Sequence, residues 1–257
     1  EIGVRLVGSE MCIRDRYYTG INGWEFSVEG YYKDMRNVLE YKDGVSFFGS
    51  SSGWENKVEM GKGRSAGIEF MAQKTAGKTT GWLSYTLSKS DRKFTKGGIN
   101  NGEWFPYKYD RRHSINLTIN HKFSDRIDIG ASWVFYTGGT STIPEEKTTV
   151  IRPHNGANNG FLWYGTYDNT NSSPTIGDVS YIEHRNNFRL PASHRLNLGV
   201  NFNKKTKHGM RTWNISLYNA YNAMNPAWVY RGHNKQGLSV IKKYTLLPLI
   251  PSFTYTY

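Results

Sequence analysis

The stretch SINLTINHKFSDRIDIGASWVFY, residues 114–136, decides the fold. Ile115, Leu117, Ile119 and Phe123 alternate with Ser114, Asn116, Thr118, Asn120 and Lys122. After Ser124-Asp125 the alternation resumes, with Ile127, Ile129, Ala131, Trp133 and Phe135 against Asp128, Gly130 and Ser132. A period of two belongs to a strand with one apolar and one polar face. Two such runs joined by a tight polar turn form an antiparallel hairpin.

The same period extends in both directions. Strands are expected at 24–41, 58–73, 80–94, 115–123, 126–137, 193–203, from 212 onward and at 239–257. Pro248 and Pro251 interrupt the last, so it is expected to bend or to split in two. Short connections fall at 75–78, 124–125 and 204–211, whereas 42–56, 95–110, 138–192 and 231–238 are long. Long and short alternate, so in an up-and-down meander every short turn lies at one end. Outer-membrane barrels have this asymmetry.

Composition agrees with a sheet that has one wet and one greasy face. The 257 residues hold 8 Trp, 18 Tyr and 12 Phe, yet only 37% are hydrophobic. No apolar run approaches the roughly 20 residues of a transmembrane helix. The net charge of +12 is spread singly and in pairs, with no basic run, so nucleic acid is not an expected partner. Cys12 stands alone, which excludes an intrachain disulfide and a cysteine metal cluster.

Three features turn the apolar face toward lipid rather than a core. The polar face is built from Asn, Ser, Thr and Gly more than from charged residues. Aromatics sit near strand ends (Trp24, Tyr41, Trp82, Phe123, Tyr136, Phe202, Trp213), where ring and polar atom suit a membrane–water boundary. The chain also ends on Phe253, Tyr255 and Tyr257 in one phase, and a terminal aromatic of this kind resembles a barrel-assembly signal. The fold class expected is therefore all-β: an antiparallel up-and-down transmembrane β-barrel segment of about eight strands.

Several segments resemble TonB-dependent outer-membrane receptors. They are Tyr109-Asp110-Arg111-Arg112-His113 with the strand after it, GKGRSAGIE (61–69), GWLSYTLS (81–88), WNISLYN (213–219) and IPSF (250–253). The resemblance covers 20–257. It implies a barrel of about 22 strands with a plugged lumen, importing a scarce ligand with energy delivered by an inner-membrane TonB complex. The present strands would be its C-terminal part in a bacterial outer membrane, with the plug and upstream strands as partners. Residues 1–19 are expected to be an irregular or non-native lead, because GVRLVGSEMCIRDR (3–16) resembles translated sequencing-adaptor sequence.

No catalytic motif appears. His113, His121, His154, His184, His194, His208 and His233 show no metal-ligand spacing, and no G-x-S-x-G elbow exists. Neither enzyme activity nor a cofactor is expected. Candidate ligand contacts in the long loops are Trp104, Phe105, Tyr107, Arg152, His154, Trp163, Tyr164, Tyr167, Tyr181, His184 and Arg185. Rings mixed with Arg and His suit chelates, glycans or peptides alike. Asp110 beside Arg111 and Arg112 is expected to brace a loop base through charge-assisted hydrogen bonds. Two rival readings are a self-contained eight-stranded barrel acting as adhesin or structural protein, and a soluble β-sandwich binding module.

Overall fold

The computed structural model describes residues 8–43, 54–96, 98–152, 175–207 and 209–257. In chain order the strands are β1 (Gly8–Ile21), β2 (Trp24–Tyr41), β3 (Val58–Lys74), β4 (Thr79–Lys93), β5 (Phe105–Pro106), β6 (His113–Lys122), β7 (Ile127–Tyr136) and β8 (Thr140–Ser141). They continue with β9 (Glu146–Arg152), β10 (Thr175–Tyr181), β11 (Phe188–Arg189), β12 (Ser193–Thr206), β13 (Gly209–Tyr218), β14 (Pro226–His233), β15 (Ser239–Thr245) and β16 (Ile250–Thr256). The only helical pieces among the described residues are short 3-10 turns at Trp54–Lys57 and Asn100–Gly102.

One antiparallel sheet carries the chain in the order β1-β2-β3-β4-β6-β7-β12-β13-β16, with β5 beside β4. Neighbours in the sheet are neighbours in the meander. The sheet does not close on itself; β1 and β16 are its two edges. The turns at one end are tight. Gly23 sits at φ +76 and a Cβ there would lie 2.7 Å from the Cβ of Ala76, so glycine lets adjacent turns pack together.

The register makes the apolar face continuous. Phe26, Ala72, Leu83, Leu117, Trp133 and Leu196 form one row across the sheet, each opposite the next. Val28, Phe70, Tyr85, Ile115 and Phe135 form the next. Toward β16 the rows run Val200-Ile215-Phe253 and Phe202-Trp213-Tyr255. These side chains are exposed in the isolated chain; Ile215 is 50% and Phe253 61% accessible. Burying such a side chain contributes about 1.5–3 kcal/mol, which this face gains only from a surrounding apolar medium.

The opposite face is a hydrogen-bonded polar ladder. Asn201 and Asn203 each donate to Asp128 at 2.7 Å, Asn214 donates to Asn201 at 2.6 Å and Thr212 to Asn203 at 2.8 Å. Trp82 and Tyr136 fall in these polar rows, opposite Thr118 and Ser114, so they do not belong to the outward aromatic girdle expected from their strand-end positions.

Three other expectations change. Residues 239–257 split in two, as Pro248 and Pro251 led one to expect, but the pieces lie in different sheets: β15 pairs with β14 as a separate hairpin, while β16 joins β13. The connection from β13 to β16 therefore spans 219–249; of the expected loop 231–238, residues 231–233 pair within β14 and 234–238 are the hairpin tip. The loop 138–192 is not bare, because β8 pairs with β11 and β9 with β10. Gly8–Ile21, read as part of an irregular lead, is extended and pairs with β2.

Candidate functional site: the ends of the long loops

β2 has 18 residues, roughly 60 Å at about 3.4 Å per residue. A crossing needs about 9–11 residues, so its far half stands above the apolar band. There a bulge changes the geometry. Asn37, at φ +58, is skipped between the pairs Arg36–Lys62 and Val38–Gly61. A bulge reverses the phase of the residues beyond it. Val38 and Glu40 thus turn toward the polar side of the sheet.

Val38 meets Phe94, Ile99 and Phe105 there, with Met35 packed against them. This cluster is the main buried apolar core among the described residues, and it lies in the loops rather than between sheets. Gly61 makes room for it: a Cβ at that position would come within 2.4 Å of the Phe94 ring.

Charged groups lock the cluster. Arg92 reaches Glu40 at 3.4 Å and stacks over Tyr107 at 3.6 Å. Arg185 donates to the Tyr41 carbonyl at 2.7 Å and pairs with Asp43 at 3.2 Å and Glu40 at 3.4 Å. Asn186 donates to the Pro106 carbonyl at 2.7 Å, and Asn187 exchanges two 2.9 Å bonds with the Ile143 backbone. The long loops are therefore laced to one another.

A second lock sits at the loop base. The Asp110 carboxylate is fully buried. Its Oδ1 accepts the Ser90 N–H at 2.7 Å; its Oδ2 accepts Arg112 Nε at 2.9 Å and Arg189 Nη2 at 2.5 Å. Arg189 also donates to the carbonyls of Asp110 at 2.7 Å and Gly138 at 2.9 Å. One carboxylate and one guanidinium so join the end of β4 to two connections, the one before β6 and the one between β7 and β12. His113 faces outward, where Nδ1 lies 2.9 Å from the Tyr85 hydroxyl.

The candidate contacts divide by what they touch. Phe105 is buried in the loop core, Tyr107 lies under Arg92, and Arg185 is held by three acceptors, so these three side chains are engaged within the protein. Trp104 is partly exposed beneath Arg64 at 4.3 Å, and Tyr181 and His184 are exposed. Arg152 ends β9 opposite Thr175. His154, Trp163, Tyr164 and Tyr167 lie outside the described residues. At the chain end, Phe253 and Tyr255 pack on Trp213, with ring centroids 5.2 and 4.4 Å away, and Arg211 lies 4.7 Å over Tyr257.

The loops also enclose a pocket of about 450 Å³ that the sequence did not announce. Its wall includes Lys108, Tyr109, Arg111, Tyr136 and Trp228. Lys108 lies 4.8 Å over the Tyr109 ring and Arg111 4.0 Å over Tyr136. Tyr109 is 63% and Trp228 49% accessible. The pocket thus offers two cations backed by rings, plus the indole of Trp228, which stacks on Tyr244 at 4.2 Å between ring centroids. Lys108, Tyr136 and Trp228 are far apart in sequence, and only the meeting of their loops joins them. Among the described residues no cluster of His, Cys, Asp or Glu is arranged to hold a metal.

An open antiparallel sheet with an apolar outer face, a polar inner face and laced loops at one end is the geometry of a large barrel wall. The family described as TonB dependent receptor-like, beta-barrel, matches residues 1–228. No curated protein matches the chain. Receptors of this family sit in the outer membrane of Gram-negative bacteria and work with a plug domain, TonB and a ligand. The chain belongs to the TonB-dependent receptor family and forms part of its outer-membrane β-barrel.

Proposed function

We propose that this barrel wall serves import of a scarce anionic ligand carrying flat rings or carboxylates, a siderophore-type chelate before a vitamin, glycan or peptide. The observation that carries the reading is the pocket between Lys108, Arg111, Tyr136 and Trp228. Ring-backed cations hold their charge toward the open space and favour an anion, while the indole offers a stacking surface. The family's plug and TonB complex would supply gating and energy, and no catalytic step is assigned to the chain.

The test is binding of a ligand panel to the full-length receptor, read by quenching of tryptophan fluorescence. The panel is a ferric catecholate, a ferric hydroxamate, cobalamin, a maltodextrin and a peptide. Arg111→Ala should weaken the anionic chelate about 10-fold or more, the loss expected for one charge-assisted contact. Equal affinity in wild type, Arg111→Ala and Trp228→Ala would refute the pocket's role.

A further inference from the structure

The outward face of β2, β3 and β4 does not stay apolar to its end. Above the row Gly30-Ile68-Leu87 come Tyr32-Ala66-Lys89, then Asp34-Arg64-Asp91, then Arg36-Lys62-Lys93. The last row sets three cations directly opposite one another. Like charges in register across strands are unfavourable on their own. Lower down, Arg64 and Lys89 share Asp91 at 3.0 and 3.3 Å, and Arg36 lies 3.7 Å from Asp34. Lys62 and Lys93 have no carboxylate partner among the described residues. On β2, β3 and β4 this patch sets Arg36, Lys62, Arg64, Lys89 and Lys93 beside Asp34 and Asp91.

Directly beneath lies a trough of about 710 Å³ lined by Gly30, Tyr32, Ala66, Ile68, Leu87 and Lys89, with Arg112 and the intervening row Tyr31-Gly67-Ser88 also on its border. It exists because Gly30 and Ala66 withhold bulk between larger neighbours; a Cβ at Gly30 would find nothing within 4 Å. From Ile68 to Lys62 is roughly 20 Å along the strand at about 3.4 Å per residue. At a tilt of about 45° that is roughly 14 Å along the membrane normal. The spacing joins an acyl-chain depth to a headgroup height, and the long Lys and Arg stems can reach the interface.

We propose that the trough and the cationic row bind one phosphate-bearing lipid, its acyl chain along Gly30, Ala66, Ile68 and Leu87 and its phosphate between Lys62 and Lys93. The site rests on the membrane placement of the barrel and not on the identity of the imported ligand. It faces away from the lumen, so lipid held there would brace the β2–β4 ends that carry the loop core.

The test uses full-length receptor in nanodiscs of phosphatidylcholine with trace phosphorylated glycolipid or phosphatidylglycerol, with retained lipid read by native mass spectrometry. Wild type should retain the phosphorylated lipid at least 10-fold better than Lys62→Ala/Lys93→Ala, and Lys62→Arg/Lys93→Arg should match wild type. Gly30→Leu fills the trough with the cations intact and should also lose retention. Heat-dependent gel mobility verifies folding of each variant. Equal retention by wild type, the alanine pair and Gly30→Leu overturns the proposal. Complete displacement by millimolar inorganic phosphate overturns the lipid as occupant, because a free anion would then suffice.

Discussion

Replacing Asp110 by alanine should loosen the whole loop base. The carboxylate is buried and accepts the Ser90 amide, Arg112 and Arg189. Removing one partner of a buried ion pair costs about 3–5 kcal/mol. Arg112 and Arg189 keep 37% and 33% of their side-chain surface in solvent, so both can turn outward, which places the cost near the lower end, about 3 kcal/mol. Asp110→Asn preserves an acceptor for the Ser90 amide and loses only the charge, for about 1.5 kcal/mol. Local openings are read by amide hydrogen exchange. At about 1.4 kcal/mol per factor of ten, exchange at Ser90 and through Gly138–Thr140 should accelerate about 100-fold for alanine and about 10-fold for asparagine. Arg111→Ala, whose contact is the Tyr136 ring, should leave the same amides within about threefold. Wild-type exchange at Ser90 and Gly138–Thr140 in Asp110→Ala would refute the account of the loop base.

The same geometry sets four further outcomes. Ile215→Arg on the outward face should cost about 2–4 kcal/mol at mid-membrane depth, whereas Ser216→Arg on the polar face should be tolerated; the folded fraction by gel mobility separates them. Asn37→Val should destabilise by about 1–2 kcal/mol, because a β-branched residue resists the left-handed backbone that Asn37 adopts, while Asn37→Gly should be neutral in thermal unfolding. The hydrogen bond and charge of Lys122 hold the Asp125 carboxyl below its ordinary range; a depressed pKa adds stability above the unfolded value that fades as pH falls through the folded one. Because that turn is fully exposed, Asp125→Asn should leave acid unfolding unchanged, and a clear acid shift would count against the reading. Deleting residues 8–21 removes the strand paired with β2 and should cost the full-length receptor its folded band, whereas normal assembly would show that β1 is dispensable.

The strands were legible because two solvents act on one sheet, so apolar and polar residues must alternate wherever the chain crosses. Legibility fails where that constraint ends. Residues 239–257 keep strand-like residues throughout, but Leu247 at φ +58 and Pro248 break the path, and only β16 returns to the sheet. Strict alternation from Val28 would turn Val38 and Glu40 outward, and the bulge at Asn37 reverses them. Asp110 and Arg112 are two residues apart and visible as a pair. Arg189, the stronger partner by distance, lies 79 residues away on another connection, and no local pattern announces it. Phe105, Tyr107 and Arg185 looked like free recognition groups because composition cannot tell a loop's outer surface from its own small core.

The register of β1 bears on whether the first residues suit the place they occupy. Tyr18 stands opposite Phe26, in phase with the apolar rows, but the next position in that phase is Arg16 against Val28. An arginine on the lipid side costs about 2–4 kcal/mol near mid-membrane. Shifting the register by one residue would move the whole set to the other face and disrupt the pairing fixed by the turn at Gly23. Backbone hydrogen bonding is indifferent to side chains, so the open edge of β2 accepts this strand despite the mismatch. The family match extends over the segment, and a barrel strand does belong beside β2. The position therefore has the right backbone pairing, with Arg16 set in a phase that β2 fills with Phe26 and Val28 beside it.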